Sequence, residues 1–369
     1  MNKISLKQKE KIYVTKSFMP QKEDYFAYVE KIFSNGQLTN QGPLLKELEA
    51  KLSNYLNVNN FQYVTNGTIA LQLALKALDI TDGEVITTPF SYVATISSIL
   101  WERCKPVFVD IEPNNFTIDV NKIEEKITDK TKAIMPVHVF GYACEVEKIQ
   151  KIADKCNLKV IYDGAHAFGS KYNGKSLLSF GDISTCSFHA TKLFHTIEGG
   201  ACIVKDSKIF DKLNLIKRFG HNGDVHYCLG INAKQSEFNA AMGLANFSHI
   251  EEIIEKRMNI SNLYDKLLQN VVTRPLQQEG LEYNYAYYPV LFKNEEELLK
   301  VFKTLEVENI YPRRYFYPSL NTLPYLEGYQ DCPISENISS RIACLPLYPT
   351  LQLSDVERIS KVIKAVVNG

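Results

Sequence analysis

Lys192 stands in Ser187-Phe188-His189-Ala190-Thr191-Lys192, with Glu198-Gly199-Gly200 close behind, and this setting suits a lysine that works as a nucleophile. Residues 183–188 are rich in β-branched and aromatic side chains and predict a short buried strand. Residues 201–204 predict another, and a polar turn with glycine joins the two. An amine at such a strand end reaches into a cleft while packing holds its stem. Schiff-base chemistry needs the amine neutral part of the time, and partial desolvation or a nearby cation lowers its pKa enough for that. Taken alone, a lysine is more often a solvated loop residue. Its neighbours weigh against that reading.

Asp163 closes the run Leu158-Lys159-Val160-Ile161-Tyr162-Asp163, followed by Gly164-Ala165-His166. An apolar run ending in a carboxylate predicts a central strand that delivers an acid to the carboxyl edge of a sheet, where open α/β folds bind ligands. Read alone, Asp163 is equally the N-cap of a following helix. Thr65-Asn66-Gly67-Thr68 precedes a predicted helix, with Ala70, Leu73, Ala74 and Ala77 at i, i+3, i+4 and i+7. The first N–H groups and the positive dipole end of such a helix cradle a phosphate, and Gly67 permits close approach. In isolation this is an ordinary capped helix. Together, a lysine for an aldehyde, an acid for a protonated ring nitrogen and a cradle for a phosphate meet the needs of pyridoxal phosphate (PLP), whose ring is an electron sink.

In this order, and from Leu38-Thr39-Asn40-Gln41-Gly42-Pro43 to Leu345-Pro346-Leu347-Tyr348-Pro349, the chain resembles the DegT/DnrJ/EryC1/StrS sugar aminotransferases. These are PLP enzymes of fold type I that aminate keto groups on nucleotide-linked sugars. The resemblance implies that Lys192 holds the cofactor and carries the proton during transamination, and that Asp163 pairs with the pyridinium nitrogen. It places His166 near the cofactor's phenolic oxygen, where the family has Gln or His, and Tyr92 on the ring face. Gly67, Thr68 and Ser187 fall at the phosphate. Asn232, in Gly230-Ile231-Asn232-Ala233-Lys234, matches an asparagine that reaches the phosphate of the neighbouring subunit, which implies a homodimer with active sites at the interface. The family more often has Arg where Lys234 stands. Relatives with His in place of the lysine are dehydratases, so Lys192 implies an aminotransferase, with L-glutamate as amino donor.

The Lys192 motif and Arg313-Arg314-Tyr315-Phe316-Tyr317-Pro318 further resemble the subgroup acting at C4 of a dTDP-4-keto-6-deoxyhexose, with dTDP-4-amino-4,6-dideoxyglucose as product. On this reading His189, Arg313, Tyr315 and Tyr317 line the sugar or nucleotide pocket. Helix-edge packing for the tyrosines and a surface ion pair for the arginine are equally open. Two other functions are a C3, UDP-sugar or cyclitol aminotransferase of the same family, and a non-catalytic PLP-binding regulatory protein.

A chain of 369 residues with 45% hydrophobic content predicts two domains: a large PLP-binding α/β domain over residues 1–245 and a smaller α+β domain over 246–369. Apolar helices alternate with β-rich runs at residues 84–88, 105–110, 133–137 and 159–162, which predicts a mostly parallel sheet with helices on both faces. After Gly243 the pattern predicts one long helix to about Leu268, a tyrosine-rich strand over 282–292, a helix over 295–305, and a last helix opened by a Ser354/Glu357 capping box.

Lys+Arg and Asp+Glu both number 42, which leaves no electrostatic footprint for nucleic acid or an anionic membrane. Residues 1–11 read as a solvated basic terminus without the apolar core of a signal peptide, and no apolar run approaches membrane-spanning length. Eight scattered cysteines without a C-x-x-C pair imply reduced thiols and a cytoplasmic location, and seven histidines without paired spacing give no support for a metal.

Overall fold

The computed structural model describes residues 10–369, so most of the basic opening lies outside the described residues. Its centre is a seven-stranded sheet built from β1 (Phe61–Val64), β2 (Glu84–Thr87), β3 (Lys105–Phe108), β4 (Thr131–Met135), β5 (Lys159–Asp163), β6 (Ile183–Ser187) and β7 (Gly200–Val204). The spatial order is β1-β7-β6-β5-β4-β2-β3. Only β7 runs antiparallel to its neighbours; the rest pair in parallel. The strands are buried on both faces, which is why they read as apolar runs rather than as alternating ones.

Helices cover both faces. On one side α1 (Lys22–Asn35) and α2 (Pro43–Leu56) join a core with β1, and Leu45, Leu48 and Leu52 face inward. On the other, α3 (Gly67–Ala77) buries Ala70, Leu73, Ala74 and Ala77. α4 (Ala94–Trp101) follows β2, α5 (Val146–Cys156) follows β4, and α6 (Ser207–Ile216) follows β7. Asp163 lies opposite Thr185 in the β5/β6 register, so both strands deliver their ends to one edge.

The C-terminal part holds a separate core formed by α8 (Ile250–Leu268), β8 (Tyr288–Leu291), α9 (Glu295–Val307), β9 (Ile342–Leu345) and α11 (Leu353–Val367). Strands β8 and β9 pair antiparallel. Between them in sequence, α10 (Pro333–Arg341) sets its first N–H groups on Asp110, with Ile334 donating to Oδ2 and Ser335 to Oδ1, each at 2.9 Å. Ile12 joins this core, and Ile12–Tyr13 pairs in parallel with Ile310–Tyr311.

Three expectations need correction. The single helix after Gly243 is two, α7 (Glu237–Phe247) and α8, because Ser248 and His249 turn the chain while the apolar pattern runs on. The strand expected over 282–292 is regular only at Leu281–Glu282 and in β8, since the backbone groups between are taken by side chains. The last helix begins at Leu353 with Gln352 as N-cap and no side-chain cap, so Ser354 lies inside the helix and forms no capping box. No helix among the described residues is long and apolar enough to cross a membrane. All eight cysteines are free thiols, and Cys186 and Cys202 are fully buried.

Candidate active site

Lys192 is carried by the turn between β6 and β7. Phe188 anchors that turn: its N–H donates to Gly199 O at 2.8 Å, its carbonyl accepts from Thr196 N–H at 2.9 Å, and its ring packs edge-on against Phe168 and Phe194. From this base Lys192 N–H donates to His189 O at 2.8 Å, and Nζ donates to the Tyr287 hydroxyl at 3.3 Å. Burial lowers the amine's pKa, while the negative potential of Asp163 opposes the shift.

Asp163 is the last residue of β5 and only 5% exposed. No helix follows it; its Oδ1 accepts from Ala165 N–H at 3.1 Å and closes a turn. Oδ2 accepts from Thr95 Oγ1 at 2.7 Å. Burial raises the carboxyl's pKa, and the Thr95 hydroxyl, the Ala165 N–H and the Lys192 charge hold it down, in that order.

In the turn after β5, His166 Nδ1 accepts from Phe140 N–H at 3.1 Å, which leaves its proton on Nε2. Burial first, and the Lys192 charge second, pull its pKa well below the ordinary value, so the ring is neutral. It stacks parallel to Phe316 with centroids 5.5 Å apart. Tyr92, just before α4, is 61% exposed and close enough to Lys192 to affect its charge. The ring is therefore a surface at the site rather than a core residue.

The N-terminus of α3 reaches the same edge. Asn66 caps it by accepting from Ile69 N–H at 2.9 Å, and the N–H groups of Gly67 and Thr68 have no partner within the helix. A Cβ on Gly67 would lie 3.0 Å from Ser187 Cβ, and one on Gly200 would lie 2.4 Å from the Asn66 carbonyl carbon. Gly67 and Ser187 are thus neighbours, and only glycine at position 200 lets β7 pass so close to the helix entry.

The remaining candidates divide. Tyr315 packs edge-on to Tyr287 at 6.0 Å, and Arg313 lies over the Tyr315 ring at 5.6 Å. His189 accepts Thr191 N–H on Nδ1 at 3.2 Å and turns Nε2 toward Glu198 at 3.5 Å. Tyr317 is exposed and carries the Arg314 guanidinium at 3.3 Å; Arg314 in turn pairs with Glu295 at 2.7 Å. Asn232 lies in an exposed stretch, backbone-paired with Arg218, and no hydrogen bond ties it to Lys192, Asp163 or Ser187.

Two partners of the central groups were not foreseen. Thr95 sits four residues after Ser91 in a helix entry that is otherwise apolar, and this polar pair was its only sequence signal. Tyr287 was hidden in a stretch that reads as a strand.

PLP fits this arrangement. The open first turn of α3 beside Ser187 suits a dianionic phosphate, the buried Asp163 carboxylate suits a ring nitrogen that must keep its proton, and the lowered pKa of Lys192 suits condensation with an aldehyde.

Known proteins agree with this geometry. The chain is 40% identical over 365 residues to the dTDP-4-amino-4,6-dideoxy-D-glucose transaminase of Shigella dysenteriae, covering 96% of this chain and 99% of that protein. Among solved structures it matches DesI, determined in the presence of its TDP-sugar product, with a TM-score of 0.92 at 27% identity, over 98% of this chain and 94% of the other. Spr1654 from Streptococcus pneumoniae, solved in a PLP form, matches with a TM-score of 0.90 at 25% identity, over 97% and 99% of the two chains. The sequence pattern of the DegT/DnrJ/EryC1/StrS aminotransferase family matches residues 20–364, and the chain belongs to that family.

Proposed function

We propose that this aminotransferase uses PLP to move an amino group from L-glutamate to the C4 keto carbon of dTDP-4-keto-6-deoxyglucose, giving dTDP-4-amino-4,6-dideoxyglucose. The observation that carries this reading is the nearly end-to-end likeness to the Shigella dysenteriae transaminase, together with Lys192, Asp163 and the α3 N-terminus at one sheet edge.

In this reading Lys192 holds the cofactor, Asp163 faces its ring nitrogen, His166 its phenolic oxygen, Tyr92 its face, and Gly67, Thr68 and Ser187 its phosphate. When bound, PLP supplies an electron sink for the carbon that loses or gains a proton. The protein's share is to place charges and move that proton. Lys192, biased by burial toward its neutral form, would take the proton from the donor's α-carbon and deliver it, within the same half of the cycle, to the cofactor's aldehyde carbon, and would run the reverse transfer for the keto sugar. Asp163 would set a negative charge where the ring nitrogen must stay protonated, and the Thr95 hydroxyl opposes the rise in its pKa that burial causes. The neutral His166 contributes an Nε2–H donor without adding a competing cation. Phe140 and Phe316 beside it exclude water.

His189, Arg313 and Tyr315 then line the nucleotide-sugar pocket, with Tyr317 at its outer rim. Asn232 serves the phosphate of a second copy, and the exposed Tyr227, Leu229 and Ile231 around it support a homodimer. Division into two domains near residue 245 is supported by the separate C-terminal core. The free thiols fit a cytoplasmic enzyme.

The test is product analysis. The purified protein with PLP and L-glutamate receives dTDP-4-keto-6-deoxyglucose in one reaction and its GDP-linked counterpart in another, and the product's amine position is read by NMR. Amination at C4 with preference for the dTDP sugar supports the reading; amination at C3, or preference for the GDP sugar, refutes the assigned substrate.

A further inference from the structure

Among the described residues the Lys192 amine has one hydrogen-bond partner, the Tyr287 hydroxyl. The segment that presents this hydroxyl, residues 283–287, is not a strand, and side chains hold its backbone in place. Arg257 Nη1 donates to Ala286 O at 3.0 Å and to Tyr285 O at 3.5 Å. The Tyr283 hydroxyl donates to Tyr287 O at 2.9 Å. Asn284 accepts Ala286 N–H at 3.0 Å, and its amide nitrogen donates to His166 O and Phe168 O, each at 2.8 Å. The segment is thereby fastened to the turn that carries His166.

Arg257 is 3% exposed, pairs with no carboxylate among the described residues, and has an Nε without a partner. Burying an unpaired guanidinium is costly. What that cost secures here is the path of residues 285–287. The Tyr287 ring is closed in by His166 at 4.7 Å, Phe140 at 5.6 Å and Tyr315 at 6.0 Å, so its hydroxyl has a fixed aim. Burial also drives the phenol's pKa far up, and it stays protonated at any working pH.

We propose that Tyr287 is a further catalytic residue, whose hydroxyl oxygen receives an N–H of Lys192 whenever that amine is free to carry a proton, and that Arg257 is the positioning residue that fixes Tyr287. This rests on Lys192 being the proton carrier. The amine would gain a proton from the donor's α-carbon and become an ammonium with one N–H aimed at the Tyr287 oxygen, and would then pass a proton to the cofactor's aldehyde carbon in the same half of the cycle, the keto-sugar half running in reverse. Tyr287 keeps its own proton throughout, so no charge is stranded on the phenol. Its oxygen favours the ammonium over the amine, offsets part of the desolvation of Lys192, and directs the remaining bonds of the nitrogen.

Two measurements on the full chain separate this proposal from the reading of Lys192 itself. Borohydride reduction of the PLP-loaded protein followed by peptide mapping shows which lysine holds the cofactor; a tag on any lysine other than 192 overturns the reading of Lys192. With the tag on Lys192, the pH dependence of its acylation before PLP is added gives the amine's titration midpoint. Tyr287→Phe keeps the ring and is expected to lower that midpoint by about one pH unit. It should also cut kcat about tenfold, with KM changed less than about twofold. Arg257→Gln should move both in the same direction and by less. An unchanged midpoint in Tyr287→Phe overturns the catalytic role, and an unchanged midpoint and kcat in Arg257→Gln overturn the positioning role.

Discussion

Thr95 Oγ1 donates to Asp163 Oδ2 at 2.7 Å, and the same hydroxyl meets Ser91 Oγ at 2.7 Å. The acid at the end of β5 is thus gripped from the helix that follows β2. Burial pushes its pKa up, and Thr95 provides the first of the forces holding it down. Thr95→Val removes that donor, so the carboxyl titrates at higher pH and the carboxylate is lost earlier on acidification. The acid limb of the kcat profile should move up by about one to two pH units, with kcat near pH 7 down about tenfold. A superimposable profile would remove Thr95 from the site's electrostatics.

Space at the α3 entry depends on two glycines with different neighbours. At Gly67 an added methyl would sit 3.0 Å from Ser187 Cβ, a tight contact that a shift of a few tenths of an ångström relieves; at Gly200 it would overlap the Asn66 backbone far more deeply. Gly67→Ala should weaken PLP binding about tenfold with little loss of thermal stability, whereas Gly200→Ala should lose both. Equal behaviour of the two variants in PLP titration and thermal melts would contradict this ordering.

His138 is buried behind the site, accepts Cys144 N–H on Nδ1 at 3.2 Å and stacks on Tyr162 at 4.5 Å. Burial lowers its pKa to about 3. The unfolded chain binds this proton below about pH 6.5, and the folded chain does not until far lower. Its contribution to stability is therefore complete above about pH 6.5 and is lost as pH falls toward 3. Unfolding midpoints measured from pH 7 to pH 5 should decline, and His138→Gln should make the decline shallower; an identical slope would show that another group governs it.

The buried Lys217 and the partly buried Glu49 pair at 3.7 Å on the outer edge of β1, where Lys217 donates to Tyr63 O and Glu49 accepts Tyr63 N–H. They stand in for a missing neighbour strand just before the α3 entry. Lys217→Met leaves the partly buried Glu49 charge without its partner and should cost about 2 kcal/mol in urea unfolding. Adding Glu49→Gln should recover part of that loss. A double variant less stable than the single one would show that the pair's charges are not what matters.

The parts of the site legible in sequence were those set by one local pattern. Asp163 ends an apolar strand, Lys192 stands in the turn that follows another, and the α3 entry has its capping Asn66 and glycine immediately before a periodic helix. Thr95 and Tyr287 act across the fold, on residues 68 and 95 positions away, and nothing near them in sequence shows it. The stretch 283–287 misleads for a physical reason: its tyrosines carry strand propensity, but Arg257 and Asn284 occupy the backbone groups that a strand would offer a neighbour. The α7/α8 break was missed because neither Ser248 nor His249 is a strong breaker and apolar residues continue on both sides. Ser354 and Glu357 have the spacing of a capping box, but Gln352 holds the N-cap position and Ser354 is already the second residue of the helix.

The most direct test of the central claim is the visible spectrum of the protein with PLP, followed through additions of L-glutamate and then dTDP-4-keto-6-deoxyglucose. The predicted result is a yellow band that requires Lys192, is bleached by glutamate and is restored by the keto sugar, while Asp163→Ala binds both substrates but bleaches far more slowly. A band that survives Lys192→Ala unchanged, or the absence of any band in the wild-type protein, would contradict the account.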